Sequence, residues 1–192
     1  MDLNCKVVLG SSSPRRKNFF KDMGIDVEIR TQEVAEEYPN HLVKEEITDY
    51  LSILKAEPLK KGLSDDEVLI TSDTIVWFEN KALGKPSDYN HAVEILELLS
   101  GNWHEVYTSV CFTSSQKQVV VNAITKVKFN DISREDIEYY INEYQPYDKA
   151  GAYGIQEWIG LIAVEKIEGS FNNVVGLPTA LVYQTLTKFC NS

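Results

Sequence analysis

Apolar and polar positions follow two rhythms along this chain, and the rhythm changes every ten to fifteen residues or so. Lys6 to Leu9 is a short apolar run rich in valine, the pattern of a strand. From Ser13 to Met23 the spacing becomes helical, and Gly24 closes the helix in the C′ position. Val27 to Arg30 predicts a second short strand. Glu45 to Lys61 is amphipathic, with Ile47, Tyr50, Leu51 and Leu54 on one face and Gly62 at its end. Pro58 falls near that end and is expected to distort the last turn.

Val68 to Phe78 predicts a strand, followed by a turn at Glu79, Asn80 and Lys81 and a return through Ala82 and Leu83. Tyr89 to Leu99 predicts a helix with Ala92, Val93, Leu96 and Leu99 facing the core. Val106 to Phe129 divides into two strands about the polar turn Ser114 to Lys117, the pattern of a hairpin. Ser133 starts a helix, with Asp136 three residues on as an approximate capping box. Gly160 to Glu168 predicts a strand, GSFNNVVGLP a turn, short strand and helix start, and Pro178 to Phe189 a final helix. Apolar runs alternating with helix-period segments predict an α/β fold. We expect a mixed, twisted sheet with helices on both sides and two lobes around a cleft. No internal repeat or low-complexity linker interrupts the chain, so a single domain over residues 1–192 is expected.

Composition narrows the function classes without choosing one. At 192 residues, 43% hydrophobic and 25% charged, the chain can bury a sizeable core without metal or disulfide staples. Its 29 acidic residues outnumber 19 basic ones, for a formal net charge of −10. That balance excludes a general nucleic-acid binder, which needs cations to displace counterions. A small anionic substrate stays compatible, because a few basic residues in one cleft reverse the local field. No apolar run approaches the ~20 residues of a membrane span. The opening MDLNCKVVLG has no signal-peptide core, so a cytoplasmic location is expected. Cys5, Cys111 and Cys190 are odd in number and widely spaced, which predicts reduced thiols. His41, His91 and His104 lack metal-ligand spacing.

Three places carry chemistry. In GSSSPRRKNFF a strand runs through small residues into a helix with Ser13 as N-cap and Pro14 at the first helical position. Arg15 and Arg16 then occupy the first turn, where the positive end of the helix dipole disfavours cations. An anion seated on this terminus would resolve the conflict; arginines turned to solvent are the alternative. Second, VLITSDTIVWF places Asp73 in mid-strand among apolar neighbours, where a carboxylate needs a cation, a metal or hydrogen-bond donors. Metal binding or general-base work would explain it, and so would backbone donors at a bulge. Lys55 flanks the apolar face of its helix, and Lys85 follows a glycine in ALGKP, each a point charge for phosphate or a solvated lysine. Third, YDKAGAYGIQEW joins two glycines to Lys149 and Gln156: phosphate and base contacts, or a plain helix-to-strand connection with a surface ion pair.

Taken in order, LGSSSPRR, SDTIV with LGKP, SGNWHEVYTSV, and YDKAGAYGIQ with GSFNNVVGLP resemble the Maf family of nucleotide pyrophosphatases, over nearly the whole chain. The resemblance implies an α/β fold related to the inosine-triphosphate pyrophosphatases. It also implies cleavage of nucleoside triphosphates to monophosphate and pyrophosphate with a divalent cation, Mg²⁺ or Mn²⁺. Asp73 then corresponds to the catalytic proton acceptor. Arg15, Thr74 and Gln156 fall where the dTTP/UTP-hydrolysing subfamily carries its specificity residues. Ser11, Arg16, Lys55, Lys85 and Lys149 match phosphate-facing positions. Glu36 resembles an acid that would join Asp73 at the metal, although Ala35 replaces a usual Asp and Glu37 competes for the role. A homodimer and a link to cell division are further implications. The competing expectations are a pyrophosphatase for modified nucleotides and a nucleotide-binding division regulator with little turnover.

Overall fold

The structure is a computed structural model that describes residues 3–191. Strand β1 is Lys6–Leu9, helix α1 Pro14–Asp22, β2 Val27–Ile29, α2 Glu45–Lys60, β3 Glu67–Phe78 and β4 Lys81–Leu83. There follow α3 at Tyr89–Leu99, β5 at Trp103–Thr113, β6 at Gln118–Phe129 and α4 at Arg134–Tyr144. Two 3-10 turns, Pro146–Asp148 and Ala150–Ala152, lead to α5 Trp158–Ala163, β7 Val164–Glu168, α6 Phe171–Val175 and α7 Thr179–Cys190.

The strands form a mixed sheet in the order β2-β1-β3-β5-β6-β7, with β4 paired to β3. β1 runs parallel to both β2 and β3, whereas β3–β4 and β6–β7 are antiparallel. The expected mixed α/β architecture is what the chain adopts. The β3–β4 turn uses Glu79 and Asn80 at φ 46° and 63°, the left-handed pair that a two-residue hairpin needs. Among the described residues no helix is long and apolar enough to cross a membrane.

The chain forms two compact units. The first contains the residues up to Asp73, Thr108–Ala123 and the segment from Gly176. Its sheet is covered on both faces, as period-2 alternation of unbroken apolar strands requires. Val7, Leu9, Val68, Ile70, Val110 and Phe112 pack with Phe20 of α1 and Val182, Leu186 and Phe189 of α7. The opposite residues Val8, Leu69 and Cys111 pack with Ala56, Ile53 and Leu59 of α2. The second unit contains Thr74–Tyr107 and Ile124–Val175. Its core gathers Val93, Leu96 and Leu99 of α3, Ile137, Tyr140 and Ile141 of α4, Phe129 of β6, and Ile159 and Ala163 of α5.

Three expectations are corrected. Gly160 to Glu168 is not one strand: it begins inside α5 and only Val164 onward is extended. Ile159 and Ala163, four apart and both buried, mark the helical face that a strand reading overlooks. The short strand read into GSFNNVVGLP is the helix α6, started by Ser170 Oγ accepting from the Asn173 amide. Finally, Cys5 and Cys190 are joined by a disulfide with Cα atoms 5.5 Å apart, while Cys111 is a buried free thiol. The approach to β1 and the end of α7 belong to the same unit, a proximity that a separation of 185 residues hides.

Candidate active site

The first unit holds six of the expected site residues, Ser11, Arg15, Arg16, Glu36, Lys55 and Asp73. Ser13 caps α1, its Oγ accepting from the Arg16 amide, and Pro14 opens the helix with no acidic residue in the first turn. The Arg16 side chain turns away to distant backbone. Its Nε donates to the Gly176 carbonyl at 2.9 Å, and one terminal nitrogen donates to the Ser72 carbonyl at 2.8 Å and to Ser11 Oγ at 3.4 Å. Ser11 Oγ also accepts from the Ser13 amide, so the small-residue loop is folded around that hydroxyl. Burial pulls the guanidinium pKa down from the ordinary arginine value, and the Asp73 carboxylate opposes that fall. Arg15 is half-buried on the same first turn.

Asp73, one residue beyond the carbonyl that holds Arg16, is 6% exposed in β3. Its Oδ1 accepts from Lys55 Nζ at 2.6 Å, and that ammonium lies 3.0 Å from Glu36 Oε1. Lys55 reaches this place because α2 packs its Ala56 and Ile53 against the sheet. Burial pushes the Asp73 carboxyl above the usual aspartate range, while the charges of Lys55 and Arg16 pull it back. A buried carboxylate whose pKa is raised and which lies next to a cation has the surroundings that proton transfer calls for. Glu36 rather than Glu37 pairs with Lys55.

The second unit holds the remaining expected residues. Thr74 is half-buried, while Lys85 and Gln156 are exposed. The loop carrying Lys85 is tied down where the Gly84 carbonyl accepts from the Gly151 amide at 3.1 Å. Gly151 sits at φ 71°, and a Cβ there would lie 2.6 Å from Val76 Cγ2, so both its conformation and its space demand glycine. Lys149 is 8% exposed, with its ammonium 2.9 Å from Asp148 Oδ1 and 3.2 Å from Glu157 Oε1. Tyr140 donates to Glu157 Oε2 and accepts from the Gly154 amide at 2.9 Å. Within SGNWHEVYTSV, His104 is buried against Phe129, with Nε2 2.7 Å from the Tyr153 hydroxyl. Burial pushes its pKa down to about 3, so the ring is neutral and packs as core.

Sequence reasoning did not single out Ser72, Gly176, Tyr140 or Glu157. The first two act through backbone carbonyls, which leave no mark on residue type. The Tyr140–Glu157 pair spans 17 residues across an element boundary, beyond any helical or strand spacing.

Among the described residues no group of three or more His, Cys, Asp or Glu is placed to hold a metal ion. Asp73 and Glu36 nevertheless converge on one cationic position, now held by the Lys55 ammonium. One or two carboxylates completed by substrate phosphates and water suit Mg²⁺ or Mn²⁺ better than an all-protein cage does.

The family model for Maf-like proteins matches residues 6–189. A dTTP/UTP pyrophosphatase of Christiangramia forsetii is 54% identical over 189 residues, 98% of this chain and 96% of that protein. Another, of Flavobacterium johnsoniae, is 53% identical over 182 residues, 95% and 94% of the two chains. Among solved structures, that of the Staphylococcus aureus Ham1 protein matches with a TM-score of 0.51 at 17% identity, covering 94% of this chain and 99% of that one. At that identity the likeness concerns the fold.

Proposed function

The chain belongs to the Maf-like protein family, and from that premise we propose that it hydrolyses dTTP and UTP to the nucleoside monophosphate and pyrophosphate. The observation that carries the reading is the buried Asp73 carboxylate, held against Lys55 one residue from the carbonyl that fixes Arg16. Relatives more than half identical over nearly the whole chain bear the name dTTP/UTP pyrophosphatase.

In this reading water attacks the α-phosphorus. Its oxygen forms the new P–O bond, and the bond from that phosphorus to the bridging oxygen breaks, its electron pair leaving with pyrophosphate. Asp73 takes the proton from the water, a role suited to a carboxylate whose basicity burial has raised. Negative charge grows on the leaving pyrophosphate, so the rest of catalysis is positioning and charge stabilisation. Arg16 supplies a guanidinium fixed by backbone before substrate arrives. Ser11, Arg15, Lys55 and Lys85 add the other phosphate contacts. Thr74 and Gln156 recognise the base, where an amide that pairs with a pyrimidine edge discriminates by leaving its own donors or acceptors unmet for the wrong base. Asp73 and Glu36 would hold a divalent cation, which when bound neutralises phosphate charge and lowers the pKa of water. The nucleotide substrate is in keeping with a cytoplasmic setting, and a homodimer is carried with this reading for light scattering to decide.

A panel of dTTP, UTP, dCTP, purine and modified triphosphates, assayed for pyrophosphate release with Mg²⁺ and with Mn²⁺, tests the proposal. Preference for dTTP and UTP, with loss of about 10²–10⁴-fold in kcat for Asp73→Asn, is the expected result. Near wild-type turnover by Asp73→Asn would remove Asp73 from its role. Tight dTTP binding without hydrolysis in either metal would replace the enzyme by a nucleotide-binding regulator.

A further inference from the structure

Lys149 was expected to meet phosphate, yet its buried ammonium already lies between two carboxylates. One of them, Glu157, is half-buried and bridges Lys149 to the Tyr140 hydroxyl. Tyr140 is fully buried on α4, and the same hydroxyl accepts from the Gly154 amide. Gly154 in turn touches the side chain two residues on. A Cβ at position 154 would lie 2.9 Å from Gln156 Nε2 and 2.7 Å from Glu157 Cδ. The exposed Gln156 amide therefore rests on a glycine whose backbone is hydrogen-bonded to Tyr140, in a loop braced by Glu157 and Lys149. A carboxylate with an ammonium on one oxygen and a phenol on the other has little rotational freedom, and charge-assisted bonds of this kind are stronger than neutral ones.

We propose that Tyr140, Glu157 and Lys149 form a positioning unit that fixes the Gly154–Gln156 loop, so that Lys149 acts on base selection through Gln156 and not as a phosphate ligand. The inference rests on the reading of Gln156 as a base-recognising residue. It goes beyond that reading by naming the residues that hold Gln156 and by moving Lys149 from the phosphates to the base. In this arrangement the three residues act through the loop and need no contact with substrate.

A base-free ligand separates the two roles. Inorganic tripolyphosphate, used as a competitive inhibitor, reads the phosphate contacts; the ratio of kcat/KM for dTTP over dCTP reads the base contacts. Tyr140→Phe and Glu157→Gln should each lower that ratio by roughly tenfold, the worth of about one good hydrogen bond. Both should leave the tripolyphosphate inhibition constant unchanged. Lys149→Met should behave in the same way, whereas Arg16→Met should weaken tripolyphosphate. Combined with Gln156→Ala, Tyr140→Phe should add nothing further to the loss of selectivity. Should Tyr140→Phe fold poorly, Gly154→Ala, whose Cβ would press on the Glu157 carboxylate and the Gln156 amide, carries the same expectation.

The proposal is overturned if Lys149→Met weakens tripolyphosphate as much as Arg16→Met does, for Lys149 would then be a phosphate ligand. It is overturned alone if Gln156→Ala abolishes selectivity while the Tyr140 and Glu157 variants keep it. If Gln156→Ala itself leaves selectivity intact in an active enzyme, the base-recognising role of Gln156 falls and the positioning unit with it. A wild-type protein without activity on either pyrimidine triphosphate would refute the functional reading first.

Discussion

Asp73 and Lys55 form one ion pair, but removing one partner should not cost the same as removing the other. The Asp73 side chain is 8% exposed and the Lys55 side chain 17% exposed. Lys55 also has Glu36 at 3.0 Å, a carboxylate with 45% of its side chain open to water. Lys55→Met leaves a buried carboxylate without the ammonium at 2.6 Å, and such a stranded charge costs about 3–5 kcal/mol. For a chain of this length that is a fall in Tm of roughly 10 °C. Asp73→Asn instead keeps an oxygen for the ammonium to donate to and leaves Glu36 to balance its charge. Its cost should stay within ~1 kcal/mol. The Lys55→Met loss should also depend on pH. Burial has already raised the Asp73 pKa, and the variant removes the strongest charge that opposes the rise. The folded state then holds the Asp73 proton more tightly than the unfolded chain does, so stability climbs as pH falls through the folded-state pKa. Guanidinium denaturation of both variants across acidic and alkaline buffers measures this. Equal losses for the two substitutions, or a Lys55→Met deficit that ignores pH, would refute the buried-pair account.

Because Asp73 must be ionised to accept a proton, and burial raises its pKa, the acid limb of kcat/KM should lie above the ordinary aspartate value of about 3.9. A pH–rate profile that stays flat down to that value would assign the base elsewhere. The Cys5–Cys190 disulfide closes a separation of 185 residues. Chain entropy for a loop of that size gives about 5 kcal/mol as a ceiling, with ~2–4 kcal/mol the usual yield. Cys190→Ser, and wild type held in reductant, should therefore lose the same amount of stability in denaturant. Coincident unfolding of oxidised and reduced protein would refute it.

Elements whose signals are local were legible in the sequence. Ser13 and Ser133 are N-caps, Gly24 follows the end of α1 at φ 70°, and α3 spans the residues that its periodicity marks. The failures fall where apolar runs are short. WIGLIA and FNNVV are too brief for a helical period to show, and tertiary packing of Ile159, Ala163 and Asn173 decides their conformation. Site residues were legible by type, because a mid-strand Asp and a cation in a helix's first turn each break a local rule. Their partners were less so. That Lys55 meets Asp73 needs the packing of α2 on the sheet. That Lys149 meets Glu157 needs the turn through Gly151 and Gly154.

The first turn of α1 shows how such a broken rule resolves. Cations there oppose the helix dipole, and a bound anion was one of two ways out. Arg16 does not turn to solvent. Its guanidinium reaches carbonyls 56 and 160 residues away in sequence, so hydrogen bonds to neutral acceptors offset the unfavourable end of the dipole. The anomaly is therefore satisfied within the protein and does not by itself require an anion. Carbonyl and hydroxyl acceptors fix where a charge sits without neutralising it, however, and the Asp73 field helps keep that guanidinium protonated against burial. A cation fixed in this way would add its field to that of the helix terminus without having to move for a phosphate. Arg16 therefore brings preorganised positive charge to this terminus, beside Arg15, which is half-buried on the same turn.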